Sequence, residues 1–251
     1  MSDVNAAPAM TPQQEVFSDT RRSGMALYRQ LAVGRASTAH FVLYETFLTV
    51  LSNIPGLLGL AARAVAYPLL FKRCGRRPAI GRGVLLRVPQ QISIGSGVLI
   101  DDGASLDVRG DDASITIDDR VSIGRLTTVA AKHGHITLKT GCNIGSYCRV
   151  ATNSKVEVGE SALIGAYCYI GPGNHTGEGE DKPLISQPME IKDGVCIGDH
   201  AWLGARVTVL DGVSIGRHAI IGAHSLVKED VPDWGIAVGT PARIIGSRKQ
   251  T

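Results

Sequence analysis

The chain has 251 residues, a net charge of +3, 30 glycines, 44% hydrophobic residues and only 5% aromatic ones. That is ample length for a core, and a glycine-rich, aromatic-poor mix suits stacked β-structure better than a helical bundle. The charge is too small to imply a nucleic-acid partner, and five cysteines without paired spacing describe neither a disulfide framework nor a zinc ribbon.

The chain opens with MSDVNAAPAMTPQQEVFSD, residues 1–19, which lacks a basic start followed by an apolar run. It reads as a disordered leader and not as a signal peptide. A helical segment is expected over 20–77. Inside it, TFLTVLSNIPGLLGLAA (46–62) carries no charge, but Pro55-Gly56 breaks its middle. That is short and interrupted for a membrane-spanning helix, so the pattern predicts two helices, 38–53 and 56–72. Lys72, Arg73, Arg76, Arg77, Arg82 and Arg87 then fall close together.

From Ile94 onward an aliphatic residue recurs every six positions, often followed by Gly: IGSGVL, IDDGAS, later LKTGCN, IGSYCR, and finally IKDGVC, IGDHAW, LGARVT, VLDGVS, IGRHAI, IGAHSL. The fifth position is nearly always small. Six residues make a short strand and a corner, and three such sides close a triangular turn of eighteen residues that stacks on the next. Glycine tolerates the corner backbone. Cys142, Cys148 and Cys168 take the small inward position, where a free thiol packs as an apolar residue in a reducing compartment. Register slips near 107–116 and 131–137 interrupt the beat, and between 170 and 191, in IGPGNHTGEGEDKPLISQPMEI, it stops altogether.

Residues 80–246, and most closely PMEIKDGVCIGDHAWLGARVTVLDGVSIGRHAIIGAHSLVKEDVPDWGIAVGTPARIIG, resemble the hexapeptide-repeat acyltransferases, of the sugar and polysaccharide O-acetyltransferase type. The resemblance implies a mainly β fold, a left-handed parallel β-helix over 78–251 with a loop at 172–190 and the N-terminal helices ahead of it. It implies transfer from acetyl-CoA to a hydroxyl of a sugar, a polysaccharide or its lipid-linked precursor, in a homotrimer with sites between subunits, and no metal. His175 matches the family's general base and Ala205 the residue whose N–H holds the oxyanion. Asn174, Trp202, Gly204, Ser225, Lys228, Arg243 and Arg248 are the matching candidates for substrate and cofactor contacts. Trp202 suits stacking on the acyl donor or packing at a subunit interface equally well. Two departures bear on the donor phosphates: an acid, Glu229, stands where relatives tend to carry a lysine, and Gly246 where many end on arginine.

No acid that orients His175 is identifiable, although Glu178, Glu180 and Asp181 lie in the loop. His200 and His218, eighteen residues apart, are expected to stack on one edge. His133 and His135 sit at a register slip where metal ligation is conceivable, and Trp234 is expected to pack the last turn. The alternatives are a non-catalytic β-helix scaffold, an amino-sugar N-acetyltransferase and a metal-dependent enzyme of the carbonic-anhydrase kind. The helices either cap the first end of the β-helix or, with the cations, lie on an anionic membrane surface through residues 38–87. The expected location is cytoplasmic, and the second role adds peripheral attachment to the inner face of the membrane.

Overall fold

The computed structural model describes residues 23–171, 177, 184, 187 and 190–249. The leader at 1–19 lies outside them, as do Asn174, His175, Glu178, Glu180 and Asp181 of the loop.

Three helices open the described chain: α1 (Gly24–Val33), α2 (Thr38–Leu51) and α3 (Gly56–Ala66). Ser23 and Ser37 cap the first two, their hydroxyls accepting the N–H of Ala26 and His40. The break at Pro55-Gly56 falls where the sequence places it. The second predicted helix is shorter than expected, passing into a 3-10 turn at Tyr67–Leu69 around Pro68. The separate helix α1 was not delimited by the sequence.

Seven coils of parallel β-helix follow, each giving one strand to each of three sheets. Sheet A holds β1 (Arg73–Cys74), β4 (Ile92–Ile94), β7 (Ser114–Ile117), β10 (His135–Leu138), β13 (Lys155–Val158), β16 (Val195–Ile197) and β19 (Ser214–Ile215). Sheet B holds β2 (Ala79–Ile80), β5 (Leu99–Ile100), β8 (Ser122–Ile123), β11 (Asn143–Ile144), β14 (Leu163–Ile164), β17 (Trp202–Leu203) and β20 (Ile220–Ile221). It ends in a hairpin of β22 (Gly235–Gly239) and β23 (Ala242–Ser247), paired antiparallel. Sheet C holds β3 (Leu85–Arg87), β6 (Ser105–Val108), β9 (Thr128–Ala131), β12 (Arg149–Thr152), β15 (Tyr169–Ile170), β18 (Thr208–Val209) and β21 (Leu226–Val227).

The eighteen-residue turn holds only where the beat is cleanest. Cys196 pairs with Ser214, eighteen residues on, but His135 pairs with Lys155, twenty on, and Ser93 with Thr116, twenty-three on. The slips at 107–116 and 131–137 are longer corners between sheets C and A, flanked by strands of four residues instead of two. The repeated aliphatic residue fills the prism as a column: Ile80, Ile100, Ile123, Ile144, Ile164, Leu203 and Ile221 are each at most 1% exposed. Each such side chain contributes roughly 1.5–3 kcal/mol by leaving water. Cys142, Cys148 and Cys168 are buried as expected, and burial pushes the Cys142 thiol up to about 12.

The repeated glycine has a different reason from the one the sequence suggests. At Gly165 a Cβ would stand 2.7 Å from the Ala205 nitrogen of the next coil, so the residue is small because the backbones nearly touch. The left-handed corner position lies two residues further on and is mostly not glycine: Tyr147, Tyr167, Arg206 and His224 hold it at φ between 59° and 61°. Each non-glycine residue there costs about 1 kcal/mol or more, which the coil stacking offsets.

The helices close the open first end of the prism. Tyr67 and Leu70 are fully buried against the core, and the Tyr44 hydroxyl donates to the Leu86 carbonyl at 2.6 Å. Arg63, 2% exposed, donates through Nε to the Ile80 carbonyl and through Nη1 to those of Leu51 and Ile54, at 2.8–2.9 Å. It ties α2, α3 and the first coil together with one side chain. The capping role is therefore realised, and it uses only one face of α3. On the other, Leu57, Leu58 and Val65, with Leu69 beyond, are 63–81% exposed.

Replacing Arg63 by leucine should lower stability by roughly 3 kcal/mol or more, because three carbonyls lose a charged donor inside the cap. Val65→Ala on the exposed face should stay within about 0.5 kcal/mol. Thermal melts of the two variants beside the parent chain separate these outcomes.

Candidate active site

The prism has three edges, and they differ in what they leave unsatisfied. After each inward aliphatic residue and its glycine, the next residue turns the corner with its N–H pointing along the edge. On the edge between sheets A and B several of these donors are capped by an aspartate from the following coil: Ser96 by Asp119 at 2.6 Å, Glu160 by Asp199 at 2.7 Å, Arg217 by Asp233 at 2.7 Å. On the edge between B and C, Ser146, Ala166, Ala205 and Ala223 occupy the same place, and their N–H groups donate to nothing among the described residues. A column of uncommitted backbone donors is an anion-attracting surface. Ala205 belongs to it, exposed and followed by Arg206 in the left-handed position.

The loop leaves from a different edge. It starts at Gly171, after β15, and the chain returns at β16, so its root lies between sheets C and A. The Gly171 N–H donates to the Val209 carbonyl at 3.2 Å. Tyr169 and Ile170 of β15 pair directly with Thr208 and Val209 of β18, whose coil also contains Ala205. Loop root and Ala205 thus sit on adjacent rungs but at opposite margins of sheet C. His175 and Asn174 lie outside the described residues.

Trp202 stands on the outer face of β17, 48% exposed, in register with Leu163 on one side and Ile220 on the other. The three make a flat apolar strip one corner away from Gly204 and Ala205. Ser225 is different from its expected role. It is 1% exposed, its hydroxyl donates to the Gly222 carbonyl at 2.7 Å, and it accepts the Gly239 N–H at 3.0 Å. The bond to Gly239 fastens the terminal hairpin, so the buried Ser225 side chain positions that hairpin.

The three predicted cations are not one cluster. Glu229 lies 3.6 Å from both Lys228 Nζ and Arg243 Nη1, so the acid noted in the sequence bridges two candidate phosphate contacts and halves their charge. Arg248 lies elsewhere, on the A–B edge, where its Nη1 donates to the His218 carbonyl at 3.3 Å. That edge carries the expected stack: His200 and His218 rings are 4.8 Å apart, and Trp234 continues it at 4.0 Å from His218. His133 meets Asp112 at 3.2 Å and His135 meets Ser114 at 3.0 Å, which gives each slip histidine a local partner.

Sequence reasoning missed a second ladder, on the B–C edge beside Ala205. Tyr147 and Tyr167 stack at 4.9 Å with planes 4° apart, and the Arg206 guanidinium lies 5.5 Å from the Tyr167 ring centre. The signal was available: all three fill the fourth position of their hexads, as the stacked histidines do on the A–B edge. An exposed aromatic and cationic rail alongside uncommitted N–H donors is a surface suited to a planar or anionic ligand.

Residues 194–229 match the family model described as bacterial transferase hexapeptide (six repeats). Over 152 residues the chain is 32% identical to a probable acetyltransferase of Mycobacterium tuberculosis, which covers 61% of this chain and half the length of that protein. It is 30% identical over 141 residues to WbbJ, a putative lipopolysaccharide biosynthesis O-acetyl transferase of Escherichia coli, covering 53% of this chain and 72% of WbbJ. Among solved structures, an N-acyltransferase from Bacillus cereus, AntD, in complex with dTDP-4-amino-4,6-dideoxyglucose and coenzyme A, aligns at a TM-score of 0.50 and 26% identity over 72% of this chain and 85% of AntD. With seven coils of parallel β-helix built on the same repeat, and a relative matched over most of its own length, the chain belongs to the hexapeptide-repeat acyltransferases.

Proposed function

We propose that the protein transfers an acetyl group from acetyl-CoA to a hydroxyl of a sugar or polysaccharide, free or lipid-linked. The observation that carries this reading is the uncommitted Ala205 N–H on the rung next to the loop root. His175 accepts the proton of the acceptor hydroxyl, and the oxygen attacks the thioester carbonyl. The Ala205 N–H donates to the oxyanion that forms. Collapse expels the CoA thiolate, which takes the proton back from His175. Trp202 with Leu163 and Ile220 offers the apolar wall for the donor's chain, and Lys228 and Arg243 the positive charge for its phosphates.

Because the loop root and Ala205 occupy opposite margins of sheet C, the site is most simply closed between neighbouring copies, one giving His175 and the next Ala205. A homotrimer satisfies this with three equivalent sites. The relatives are divided between transfer to oxygen and to nitrogen, and the same base serves an amino-sugar acceptor, so hydroxyl and amine acceptors belong in one assay. His175→Ala should lower turnover by roughly 10²–10⁴-fold while acetyl-CoA binding and sedimentation stay those of the parent. Calorimetry showing no saturable acetyl-CoA binding by the folded protein would instead favour a scaffold.

The uncovered face of α3 supports attachment to an anionic membrane surface. Leu57, Leu58, Val65 and Leu69 are exposed beside Lys72, Arg73, Arg76, Arg77 and Arg82, all exposed and without an ion-pair partner among the described residues. No described helix is long and apolar enough to cross a membrane. Apolar side chains and unpaired cations on one end fit an interfacial site on acidic headgroups. In flotation, the full chain should rise with phosphatidylglycerol vesicles and not with neutral ones, and Leu57→Gln/Val65→Gln should abolish the difference. Equal flotation of both proteins would remove this part of the reading.

A further inference from the structure

On the N-terminal side of the loop, sheet C carries more positive charge than its one buried carboxylate requires. Asp107 points outward from β6 yet is only 5% exposed. Arg109 holds its carboxylate through Nε at 2.9 and 3.1 Å and Nη2 at 2.5 Å, and Arg87 Nη1 lies 3.7 Å away. The carboxylate is therefore already spent on two guanidinium groups. On the next rung Lys132 follows β9 as Arg109 follows β6, and one rung further Arg149 opens β12. Neither Lys132 nor Arg149 has an ion-pair partner among the described residues. Four cations thus lie near a single carboxylate, which pairs with only two of them. Burial, then Arg109 and Arg149, hold the Lys132 ammonium below the usual lysine range, with only Asp107 opposing.

Between these long side chains the sheet is floored by small ones. Ala130 and Ala151 continue the Asp107 register on the outer face, 4% and 1% exposed, and neither is part of the core cluster. Packing does not impose cations on the outside of a β-helix, where any polar residue suits the strand. Bringing several together costs energy that an oxyanion ligand recovers. The location gives the ligand its role. Tyr169 of β15 registers with Arg149, so the loop carrying His175 leaves sheet C one rung beyond the cations. From Asp107 to that rung is three interstrand steps, about 14 Å, which accommodates a sugar with an anionic substituent at one end. The candidate donor cations, Lys228, Arg243 and Arg248, all lie on the other side of the loop, in the last coil and the terminal hairpin.

We infer that Arg87, Arg109, Lys132 and Arg149 form an acceptor subsite, and that the acceptor is a sugar bearing an oxyanion, phosphate or carboxylate. The inference rests on the acyltransferase reading for its role, but the anion site is measurable by itself. The full-length protein, with its donor site saturated by CoA, is titrated calorimetrically with inorganic pyrophosphate, with glucuronate and with uncharged glucose. Saturable binding of pyrophosphate or glucuronate, weakened roughly tenfold or more in Lys132→Gln/Arg149→Gln while acetyl-CoA affinity is unchanged, supports the subsite. The tighter of the two probes names the oxyanion. Identical anion affinity in parent and variant overturns it. So does a variant that sediments as a smaller assembly, since the cations would then be meeting a carboxylate of a second copy. Loss of acetyl-CoA binding in the parent protein would strike the acyltransferase reading and leave the anion result standing.

Discussion

Everything in this molecule follows from how closely one coil lies on the next. At Gly165 the backbone of the following coil is near enough that a single Cβ would strike the Ala205 nitrogen at 2.7 Å. That contact fixes the register of the three sheets, spends the strand N–H and C=O groups between coils, and puts one aliphatic side chain per side into the prism. It also determines what is left over. The strand faces tolerate any side chain, the ends are unpaired, and the corners retain N–H groups that no strand claims. The helices answer the first end with Arg63 and Tyr44, and the terminal hairpin answers the last with Ser225.

The three edges solve the corner problem in different ways, and the difference separates support from function. Aspartates from the following coil cap donors on the A–B edge, where His200, His218 and Trp234 also stack into a closed column. The B–C edge has small residues in place of those aspartates from Arg125 onward, so its donors stay free beside the Tyr147–Tyr167–Arg206 rail. On the A–B edge the cap meets the Ser96, Glu160 and Arg217 donors. An uncapped edge retains unmet hydrogen-bonding capacity that a developing oxyanion satisfies.

How much of this was legible depends on whether a residue's role is set by its own coil or by another element. The aliphatic column and the small fifth position repeat because every coil imposes them, so the hexads read through as β-helix. The histidine stack was readable from an eighteen-residue separation. The equivalent Tyr147–Tyr167 pair shows in the shared fourth hexad position and not in the spacing, because that coil runs to twenty residues and an eighteen-residue period slides past it. In the sequence Arg63 is simply the first charge after the uncharged run 46–62, whereas its guanidinium is buried against carbonyls of three segments that only the fold brings together. The fastening role of Ser225 is not visible in the sequence because Gly239, whose N–H its hydroxyl accepts, becomes a neighbour only when the hairpin folds back. The left-handed corners were opaque for another reason: tyrosine, arginine, histidine and tryptophan occupy them with no shared chemistry.

A prism has no cleft of its own, and this limits where reactivity can arise. Its faces are flat, so a reacting atom must be approached from two directions by groups that project: a loop, a corner, or a neighbouring copy. Sheet C carries the first two at opposite margins, the loop root at one and Ala205 at the other, and a β-helix coil cannot bend to close the distance, so the proposed site draws them from neighbouring copies. The outer face of the sheet beside the loop root is then the floor on which an acceptor would lie. On that floor side chains are free of packing constraints, so its chemistry is informative in a way that core chemistry is not. Inward, Leu106, Val108, Val129, Ala131 and Val150 of β6, β9 and β12 serve stability, while on the outer face Asp107 of β6 and Arg149 of β12 join Arg87 of β3 and the residues that follow β6 and β9, Arg109 and Lys132. Stability accounts for the first set and for the pairing of Asp107 with Arg109 and Arg87. It does not account for Lys132 and Arg149, and that surplus charge is what the proposed acceptor subsite explains.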